Sequence, residues 1–231
     1  MSVRLFLGVP GAGKTQAMCD FVSAERDKAS FHVPDRANEW SDSTSKRWRG
    51  NAPRILVMDP SMKGSFDESA RRNIINFIRE NSPCLFTYQN GWEDLEVAQL
   101  VHECGDAVYC DDEIDLMAHY KGWKENPLRD FVHRGRHLPD IDGIPRQVHI
   151  MGAARRPENL HTDLSSLADE VLVFRCAGKN TRKRIIDEGY IRPEDESEMV
   201  TMPDLHFFIW RSDGSIAKGF LDNPYAGEPK R

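Results

Sequence analysis

The amino-acid sequence predicts an α/β fold, in which a mainly parallel β-sheet is flanked by helices and carries a C-terminal β-hairpin on its edge. Three features of the 231 residues predict this fold. Short apolar, β-prone runs alternate with stretches of helical periodicity, the pattern of a parallel sheet covered by helices. A glycine-rich turn, residues 8–15, separates the first run from the first helical stretch. Near the C-terminus, residues 204–211 and 215–221 are β-prone runs joined by Ser-Asp-Gly, a turn typical of a hairpin.

The individual elements follow from local patterns. Short apolar runs predict the strands, and apolar spacing of i, i+3 and i+4, as at Ile74, Phe77 and Ile78, predicts amphipathic helices. Besides the hairpin, the predicted strands are, in chain order, residues 3–7, 54–59, 83–88, 107–110, 147–152 and 170–174. The predicted helices are residues 14–28, 66–80, 92–104, 124–137, 164–168 and 181–189.

Composition and cysteine content limit the class of protein. Apolar residues make up 39% and charged residues 29% of the chain, a balance that excludes a fibrous or fully disordered protein. No apolar run approaches the length of about 18 residues that a membrane span needs, and the N-terminus has too few apolar residues for a signal peptide. The five cysteines are widely spaced and form no C-x-x-C pair, which indicates a reduced, intracellular protein without a zinc site.

Domain organisation and charge give two further expectations. We expect one domain, residues 1–221, followed by a tail, residues 222–231, and we interpret the polar and basic residues 35–51 as a long loop excursion. The formal net charge of −6 argues against a module that coats nucleic acid as a monomer, because such modules are usually basic. Any contact with DNA must therefore come from local basic patches.

The glycine-rich turn, GVPGAGKT, fits the phosphate-loop pattern G-x-x-x-x-G-K-[ST] and lies between a predicted strand and a predicted helix. Backbone N–H groups of such a loop converge on phosphate oxygens at the positive end of the helix. Lys14 is expected to reach the β- and γ-phosphates of ATP, and Thr15 to hold Mg²⁺ through its hydroxyl. The residues predicted to contact the nucleotide here are Gly8, Pro10, Gly11, Ala12, Gly13, Lys14, Thr15 and Gln16.

A second element with chemical meaning is the acidic run after the strand at residues 107–110. A strand that ends in carboxylates places negative charge at the rim of the sheet, beside the phosphate loop. We assign Asp112 to the metal and Glu113 to activation of the attacking water, with Asp111 left as a rival for the metal. Small-molecule kinases seldom need a water-activating glutamate at this place.

Two arginine clusters form the third element, RGRH at residues 134–137 and AARRP at residues 153–157. An arginine near the γ-phosphate stabilises the charge of the transition state, and a neighbouring subunit can supply it. Positively charged residues just after the end of a strand can also sense the phosphate. His133 and His137 are not expected to bind a metal, because no cysteine or carboxylate lies at ligand spacing.

Together, GVPGAGKT, VYCDDEIDLM, RGRH and GAARRPENL resemble the FtsK–HerA superfamily of P-loop ATPases. Within it they are similar to the genome-packaging ATPases of tailless, internal-membrane, double-stranded DNA viruses, over roughly residues 3–188. The resemblance implies a RecA/ASCE-like P-loop NTPase fold and a homo-hexameric ring that threads double-stranded DNA. It also implies a place in the host cytoplasm or the virion, with capsid or membrane-vertex proteins as possible partners.

The resemblance also assigns roles to individual residues. It implies that Lys14 and Thr15 bind phosphate and Mg²⁺, and that Asp112 and Glu113 are the metal-binding and catalytic carboxylates. It implies a trans-acting arginine finger at Arg136, with Arg134 as second choice.

The sensor motif is implied at Arg156-Pro157, where Arg155 stands in place of the glutamine that relatives commonly carry. Arg155 and Arg156 are accordingly expected to contact the nucleotide. Residues 177–182 are expected to face a neighbouring subunit.

Candidate DNA contacts are less specific. In a ring, a few cations per subunit suffice, since the copies converge on one channel and phosphate contacts need no base readout. Lys121 and Lys124 are candidates, and so is the basic run at residues 46–49, which contains an interleaved tryptophan. Four other tryptophans are expected to pack rather than to stack on bases: Trp40, Trp92, Trp123 and Trp210.

Three alternatives stay open from the sequence. A filamentous-phage assembly ATPase of the same superfamily usually carries a membrane span, which this sequence lacks. A nucleotide or metabolite kinase would use residues 35–51 as a lid, but leaves Glu113 and the Arg-Arg-Pro motif unexplained. A non-catalytic nucleotide-dependent scaffold has no need of an intact Lys14, Thr15 and Glu113.

Overall fold

The computed structural model describes residues 2–119, 123–134 and 137–223. The strands are β1 (Val3–Leu7), β2 (Ser30–Pro34), β3 (Ile55–Met58), β4 (Leu85–Tyr88), β5 (Ala107–Asp111), β6 (Leu138–Pro139), β7 (Pro145–Arg146), β8 (Val148–Ala154), β9 (Glu170–Val173), β10 (His206–Arg211) and β11 (Ile216–Phe220). The α-helices are α1 (Lys14–Glu25), α2 (Glu68–Asn81), α3 (Asp94–Cys104), α4 (Ile114–Met117), α5 (Pro127–Arg134), α6 (Thr162–Ser166), α7 (Lys179–Asp187) and α8 (Glu196–Thr201).

Nine of the strands form one sheet in the order β11-β10-β9-β1-β8-β5-β2-β4-β3. From β9 to β3 all neighbours are parallel, whereas β10 pairs antiparallel with β9, and β11 with β10. The predicted mainly parallel sheet with a C-terminal hairpin on its edge is therefore confirmed.

Apolar residues are buried on both faces of this sheet, as expected for a parallel sheet covered by helices. Strand β1 illustrates it. Val3, Leu5 and Leu7 belong to one buried apolar cluster and Phe6 to another, because successive side chains of a strand point to opposite faces. The second cluster includes apolar side chains of α1, and the first includes those of α2 and α3.

One strand of the nine-stranded sheet was missed from the sequence, besides the two-residue strands β6 and β7. The segment Ser30–Pro34, SFHVP, forms β2 in the middle of the sheet, between β5 and β4. It is short and contains a histidine and a proline, so it lacks the apolar run that marks the other strands. His32 is tolerated there because its Nδ1 lies 2.8 Å from the Tyr88 hydroxyl, which gives the buried imidazole a hydrogen-bond partner.

The predicted helix at residues 124–137 is shorter than expected. Its α-helical part is Pro127–Arg134, and Trp123–Glu125 form a separate 3₁₀ turn before it. Proline lacks the N–H that a helix interior needs but is well tolerated in the first turn, so Pro127 explains this start. The short helix α8 was not predicted.

The sequence suggested that the basic run at residues 46–49, with its tryptophan, contacts DNA. For the tryptophan this interpretation is wrong, because its side chain is not exposed. Trp48 is buried and packs edge-to-face against Trp40, with ring centroids 6.0 Å apart. Arg47 pairs with Glu39, and Arg49 pairs with Asp20 at 2.9 Å. The excursion at residues 35–51 is thus folded against α1.

The other predicted packing tryptophans follow the expectation. Trp92 and Trp123 are buried and Trp210 is half-buried. All five cysteines are buried thiols without a disulfide partner. No helix among residues 2–119, 123–134 and 137–223 is long and apolar enough to cross a membrane. The division into one domain, residues 1–221, and a tail stays a prediction, and residues 224–231 lie outside the described part.

Candidate nucleotide-binding site

The candidate site lies where four neighbouring strands end. Strands β1, β8, β5 and β2 are parallel and adjacent, so their carboxyl ends meet at one edge of the sheet. The phosphate loop follows β1, Arg155 follows β8, Asp112 and Glu113 follow β5, and Arg36 follows β2. Ligands of open α/β sheets bind in a crevice at this edge.

A cavity of about 520 Å³ opens at this edge, within the usual size range of small-molecule sites. The side chains that line it are mostly polar or charged. They include Lys14, Thr15, Gln16, Arg36, Asp112, Glu113, Arg155 and Asp204. The sequence therefore identified residues from three of the four strand ends that surround the cavity, and it missed the end of β2.

The phosphate loop wraps the start of α1. Gly13 adopts a φ of 113°, a left-handed conformation that favours glycine, and directly precedes Lys14. The loop residues that line the cavity are Pro10, Gly11, Gly13, Lys14, Thr15 and Gln16. Gly8 and Ala12, which were also predicted to contact the nucleotide, are buried and do not line the cavity. The backbone N–H of Gly8 donates to the carbonyl oxygen of Ala154 at 3.2 Å.

Lys14 is folded back onto its own loop. Its Nζ donates to the carbonyl oxygens of Gly8 at 2.7 Å and Val9 at 2.9 Å. Burial, together with the positive charge of Arg155, lowers the pKa of Lys14 to about 8. Both effects disfavour the charged ammonium, so an anionic ligand in the cavity would relieve them. The side chain has the length and charge to leave these carbonyls for a phosphate.

Gln16 is held in place beside the loop. Its Nε2 donates to Asp20 at 2.8 Å and to the carbonyl oxygen of Arg47 at 2.9 Å. The second bond joins α1 to the folded segment at residues 35–51, which thereby becomes a wall of the cavity.

The structure separates the two rival aspartates. Asp111 is fully buried, and its carboxylate receives the guanidinium of Arg36 at 3.1 and 3.3 Å. Its Oδ1 also accepts the backbone N–H of Glu113 at 2.9 Å. Asp112 and Glu113, but not Asp111, line the cavity. Asp111 therefore acts as a support that fixes the turn carrying the other two carboxylates.

The electrostatics around Asp112 suit a cation. Burial, and next the negative charge of Asp111, raises the pKa of Asp112 to about 6, although Arg36 opposes this shift. A carboxylate that is costly to ionise in its resting surroundings gains from a divalent cation beside it. Carboxylate and hydroxyl oxygens are ligands that Mg²⁺ accepts, and Thr15 lines the same cavity. Asp112 and Thr15 thus fit the metal role predicted for them.

Glu113 is paired in this state. Its Oε1 lies 2.6 Å from Nη2 of Arg155. The loop that bears Arg155 is itself fixed by Asp115, which accepts the backbone N–H groups of Arg155 at 3.4 Å and Arg156 at 3.1 Å.

Close packing brings Asp115 to that loop. A Cβ on Gly152 of β8 would lie 2.5 Å from Cδ1 of Ile114, so only glycine lets α4 approach the strand this closely. Asp115 and Arg36 were not assigned a role from the sequence. The signal for Asp115 was its place two residues after Glu113, and the signal for Arg36 was its place after a strand that the sequence did not reveal.

Of the remaining predicted residues, those that the structure describes do not line the cavity. Arg156 is exposed and does not line it, and Arg134 is exposed at the C-terminal end of α5. Arg136 and Lys121 lie outside the described residues, and Lys124 is exposed. An arginine that acts on a neighbouring subunit is expected to be exposed in the isolated chain, so the position of Arg134 is compatible with its predicted role.

Two viral packaging proteins are among the solved structures to which the chain is similar. The genome-packaging NTPase B204 of Sulfolobus turreted icosahedral virus 2, in complex with AMPPCP, has 16% sequence identity and a TM-score of 0.65, with 94% of this chain and 96% of that chain covered. B204, the DNA-packaging ATPase of Sulfolobus turreted icosahedral virus, has 15% identity and a TM-score of 0.62, with 96% and 98% covered.

No protein-family model matches the sequence, and no curated protein matches it significantly. The likeness to B204 extends over nearly the whole chain, but at this identity it shows the fold alone. The P-loop NTPase fold expected from the motifs is confirmed.

Proposed function

We propose that this protein is an ATP-hydrolysing DNA translocase that packages a viral genome. The observation that carries the proposal is the convergence of Lys14, Thr15, Asp112 and Glu113 on one cavity at the carboxyl edge of the sheet. Those residue types are the ones that phosphoryl transfer to water requires. The shared fold with B204, described as a genome-packaging NTPase, supports the packaging role.

In the proposed reaction, the triphosphate of ATP lies along the phosphate loop. Lys14 exchanges the carbonyl oxygens of Gly8 and Val9 for phosphate oxygens, and its positive charge offsets the charge of the terminal phosphates. Thr15 and Asp112 would hold Mg²⁺, which when bound neutralises charge on the β- and γ-phosphates.

Glu113 acts as the base that orients and polarises the attacking water. The water oxygen forms its bond to the γ-phosphorus as the bond from phosphorus to the leaving oxygen of ADP breaks. The proton of the water passes to Glu113. Glu113 can do this only when its carboxylate is released from Arg155, to which it is paired at 2.6 Å. Once released, Arg155 offers its charge to the terminal phosphate.

A neighbouring subunit completes the site. We assign the trans-acting arginine to Arg136, with Arg134 as second choice, because the Arg-Gly-Arg motif resembles one that carries such an arginine. Arg134 is exposed at the end of α5. A homo-hexameric ring brings that helix end of one copy to the cavity of the next. The described chain leaves the cavity open, which is compatible with such an interface.

Double-stranded DNA passes through the ring in this proposal. The net charge of −6 makes a monomeric DNA coat unfavourable, whereas several copies of one or two cations, such as Lys124 and Lys121, can follow the phosphate backbone together. The place of action would be the host cytoplasm or the virion, with capsid or membrane-vertex proteins as recruiting partners.

A nucleotide or metabolite kinase is less well supported. Residues 35–51, the segment that such a kinase would use as a lid, are packed through Trp40 and Trp48 and bonded to α1 through Arg49 and Asp20. The presence of Glu113 in the cavity also favours water over an acceptor hydroxyl.

The proposal is tested by steady-state ATP hydrolysis with and without double-stranded DNA. We expect DNA to stimulate turnover of the wild type, and Glu113→Gln to lose at least about a hundredfold, since it removes the general base. Glu80→Gln, at an exposed position of α2, is the matched control and should behave as wild type. Phosphate release that ignores DNA but rises with a nucleoside acceptor would overturn the motor and favour the kinase.

A further inference from the structure

The nucleotide site has a second half that the sequence motifs do not cover. All of the predicted site residues serve the phosphates, the metal or the attacking water. The cavity, however, continues to Asp204 and Leu205, which precede β10 of the C-terminal hairpin. What this part of the cavity binds follows from the direction in which a nucleotide must lie.

The order of strands fixes that direction. Asp112 and Glu113 follow β5, which lies on one side of β1 with β8 between them, whereas β9 and β10 lie on the other side of β1. The terminal phosphate must face Asp112 and Glu113, because metal binding and water attack occur there. The nucleoside end of the same molecule therefore leaves the phosphate loop on the side of β9 and β10.

The segment at Asp204–Leu205 is joined to the phosphate loop itself. The backbone N–H of Leu205 donates to the carbonyl oxygen of Ala12 at 2.9 Å, and Leu205 accepts the N–H of Leu221 at 2.8 Å. The side chain also closes on the loop, since a Cβ on Gly13 would lie 2.8 Å from Cδ2 of Leu205. The phosphate loop and the base of the hairpin are thus hydrogen-bonded and packed against each other.

The backbone of Leu205 has an unusual conformation. Its φ is 67°, which lies in the left-handed region of backbone conformation. Residues with bulky side chains rarely adopt this conformation. Such strain persists only where the surroundings enforce it, and it often occurs at ligand-binding positions. Leu205 lines the cavity, where most of the other lining residues are polar or charged.

Asp204 supplies a polar group beside that apolar surface. One oxygen of its carboxylate, Oδ1, pairs with Nη2 of Arg175 at 2.9 Å, and the backbone carbonyl of Arg175 accepts the N–H of Val9 in the phosphate loop at 3.0 Å. A carboxylate has about four acceptor positions, so the ion pair leaves room for further donors. Ribose hydroxyls are donors of the required kind.

We propose that Leu205 and Asp204 form the nucleoside subsite of the cavity, in which the nucleobase packs on Leu205 and the Asp204 carboxylate accepts a ribose hydroxyl. This inference rests on the proposed nucleotide-binding function and deepens it. It gives the base of the C-terminal hairpin a role in nucleotide recognition, in addition to covering the edge of the sheet.

The test compares ligands that share phosphates but differ in the nucleoside. Titration calorimetry with ADP, 2′-deoxy-ADP, 3′-deoxy-ADP and pyrophosphate measures each part separately. Leu205→Ala is expected to weaken ADP about tenfold, by loss of apolar contact, and to leave pyrophosphate within about twofold of wild type. Phe220→Ala, an exposed apolar residue on the same hairpin, is the matched control and should bind both as wild type does.

Asp204→Asn tests the ribose contact. The wild type should bind ADP more tightly than at least one deoxy form. In the variant this ratio of affinities should be about fivefold smaller, because a charged acceptor makes a stronger hydrogen bond than a neutral one. Asp213→Asn, in the turn at the opposite end of the hairpin, should keep the full preference.

Leu205→Gly separates ligand contact from loop support. Glycine adopts a φ of 67° without strain and keeps the N–H bond to Ala12, so pyrophosphate affinity should be retained while ADP affinity falls. Equal losses for ADP and pyrophosphate in both Leu205 variants would make Leu205 a loop support and overturn the subsite. Wild-type affinity for all ligands in every variant would overturn it as well.

A wild-type protein that binds neither ADP nor pyrophosphate would instead remove the proposed nucleotide-binding function. If only the subsite is wrong, the wild type still binds both ligands, and the variants change the affinity for both ligands equally or not at all. The two failures are therefore distinguishable.

Discussion

At the scale of single residues, the ion pair of Arg36 and Asp111 supports the acidic turn of the site. The carboxylate of Asp111 is fully buried, and Arg36 is its charged partner. The same guanidinium also bonds to Asp94 at the start of α3. The pair therefore fixes the turn that presents Asp112 and Glu113 to the cavity.

This arrangement predicts a strongly non-additive effect on stability. Arg36→Met leaves the Asp111 carboxylate buried without its charge partner, so the free energy of unfolding should fall by roughly 3–5 kcal/mol. The double variant with Asp111→Asn should lose clearly less than the sum of the two single variants. Urea unfolding of the four proteins measures this cycle.

Arg54→Met, at an exposed position, is the control, and it should cost less than about 1 kcal/mol. Additive losses in the cycle would mean that Arg36 and Asp111 do not stabilise each other. The positioning role would then have to be abandoned, although the metal assignment to Asp112 would stand.

At the scale of elements, β2 supports the site although the sequence does not reveal this strand. It pairs with β5 on one side and β4 on the other, and it delivers Arg36 to the cavity. His32 in this strand is fully buried, with its ring centroid 5.0 Å from that of Phe86 and 5.9 Å from that of Tyr88. Burial lowers the pKa of His32 to about 3, so the imidazole stays neutral in the folded protein.

The buried imidazole predicts a pH dependence of stability. In the unfolded chain a histidine has a pKa near 6.5, so below that pH the unfolded state binds a proton that the folded state cannot. The free energy of unfolding should therefore fall as the pH drops from about 6.5 towards 3, with no contribution from His32 above that window. For this group alone, the loss between pH 7.5 and pH 5 amounts to about 2 kcal/mol.

Urea unfolding of wild type and His32→Leu at pH 7.5 and pH 5 checks this prediction. The variant should lose about 2 kcal/mol less than wild type over that interval. Thr87→Val, at a buried polar position of the neighbouring strand β4 that does not titrate, controls for general loosening of the sheet. Parallel pH profiles for wild type and His32→Leu would contradict it.

For the whole molecule, the open cavity and the exposed end of α5 predict that active sites are shared between subunits. Glu113→Gln and Arg136→Ala should each abolish hydrolysis when pure. In a 1:1 mixture, about a quarter of the interfaces would pair an intact Glu113 with an intact Arg136, so about a quarter of wild-type activity should return.

Arg129→Ala, at an exposed position earlier on α5, is the matched control and should stay active alone. The same mixture with Arg134→Ala distinguishes the two candidates for the finger. Absence of recovery in mixed assemblies, whose formation is verified by sedimentation, would show that each chain completes its own site.

Much of the fold could be predicted because its signals are local. The strand at residues 3–7 and the helix after the phosphate loop are each encoded by neighbouring residues, and their bounds agree with β1 and α1 to within a few residues. The same holds for Lys14, Thr15, Asp112 and Glu113, whose motifs are contiguous. Segments such as β2 lack a local signal, because burial of its histidine and proline depends on neighbours far away in the chain.

The basic run at residues 46–49 shows the opposite failure, in which a local pattern misleads. An interleaved tryptophan in a basic segment is typical of a nucleic-acid contact, but Trp48 is removed from solvent by packing on Trp40, and Arg49 is neutralised by Asp20. Whether an aromatic residue is free to stack depends on what covers it, and only the folded chain supplies that cover.

The sequence by itself determined the fold class, the phosphate loop and the carboxylates that follow β5, because each depends on periodicity or on spacing within a few residues. Only the tertiary structure decided that Asp111 is a buried support while Asp112 faces the cavity. Only it paired Glu113 with Arg155 and brought Leu205 onto the phosphate loop. These contacts join residues up to about two hundred positions apart, and their energies depend on burial and distance, which no linear pattern contains.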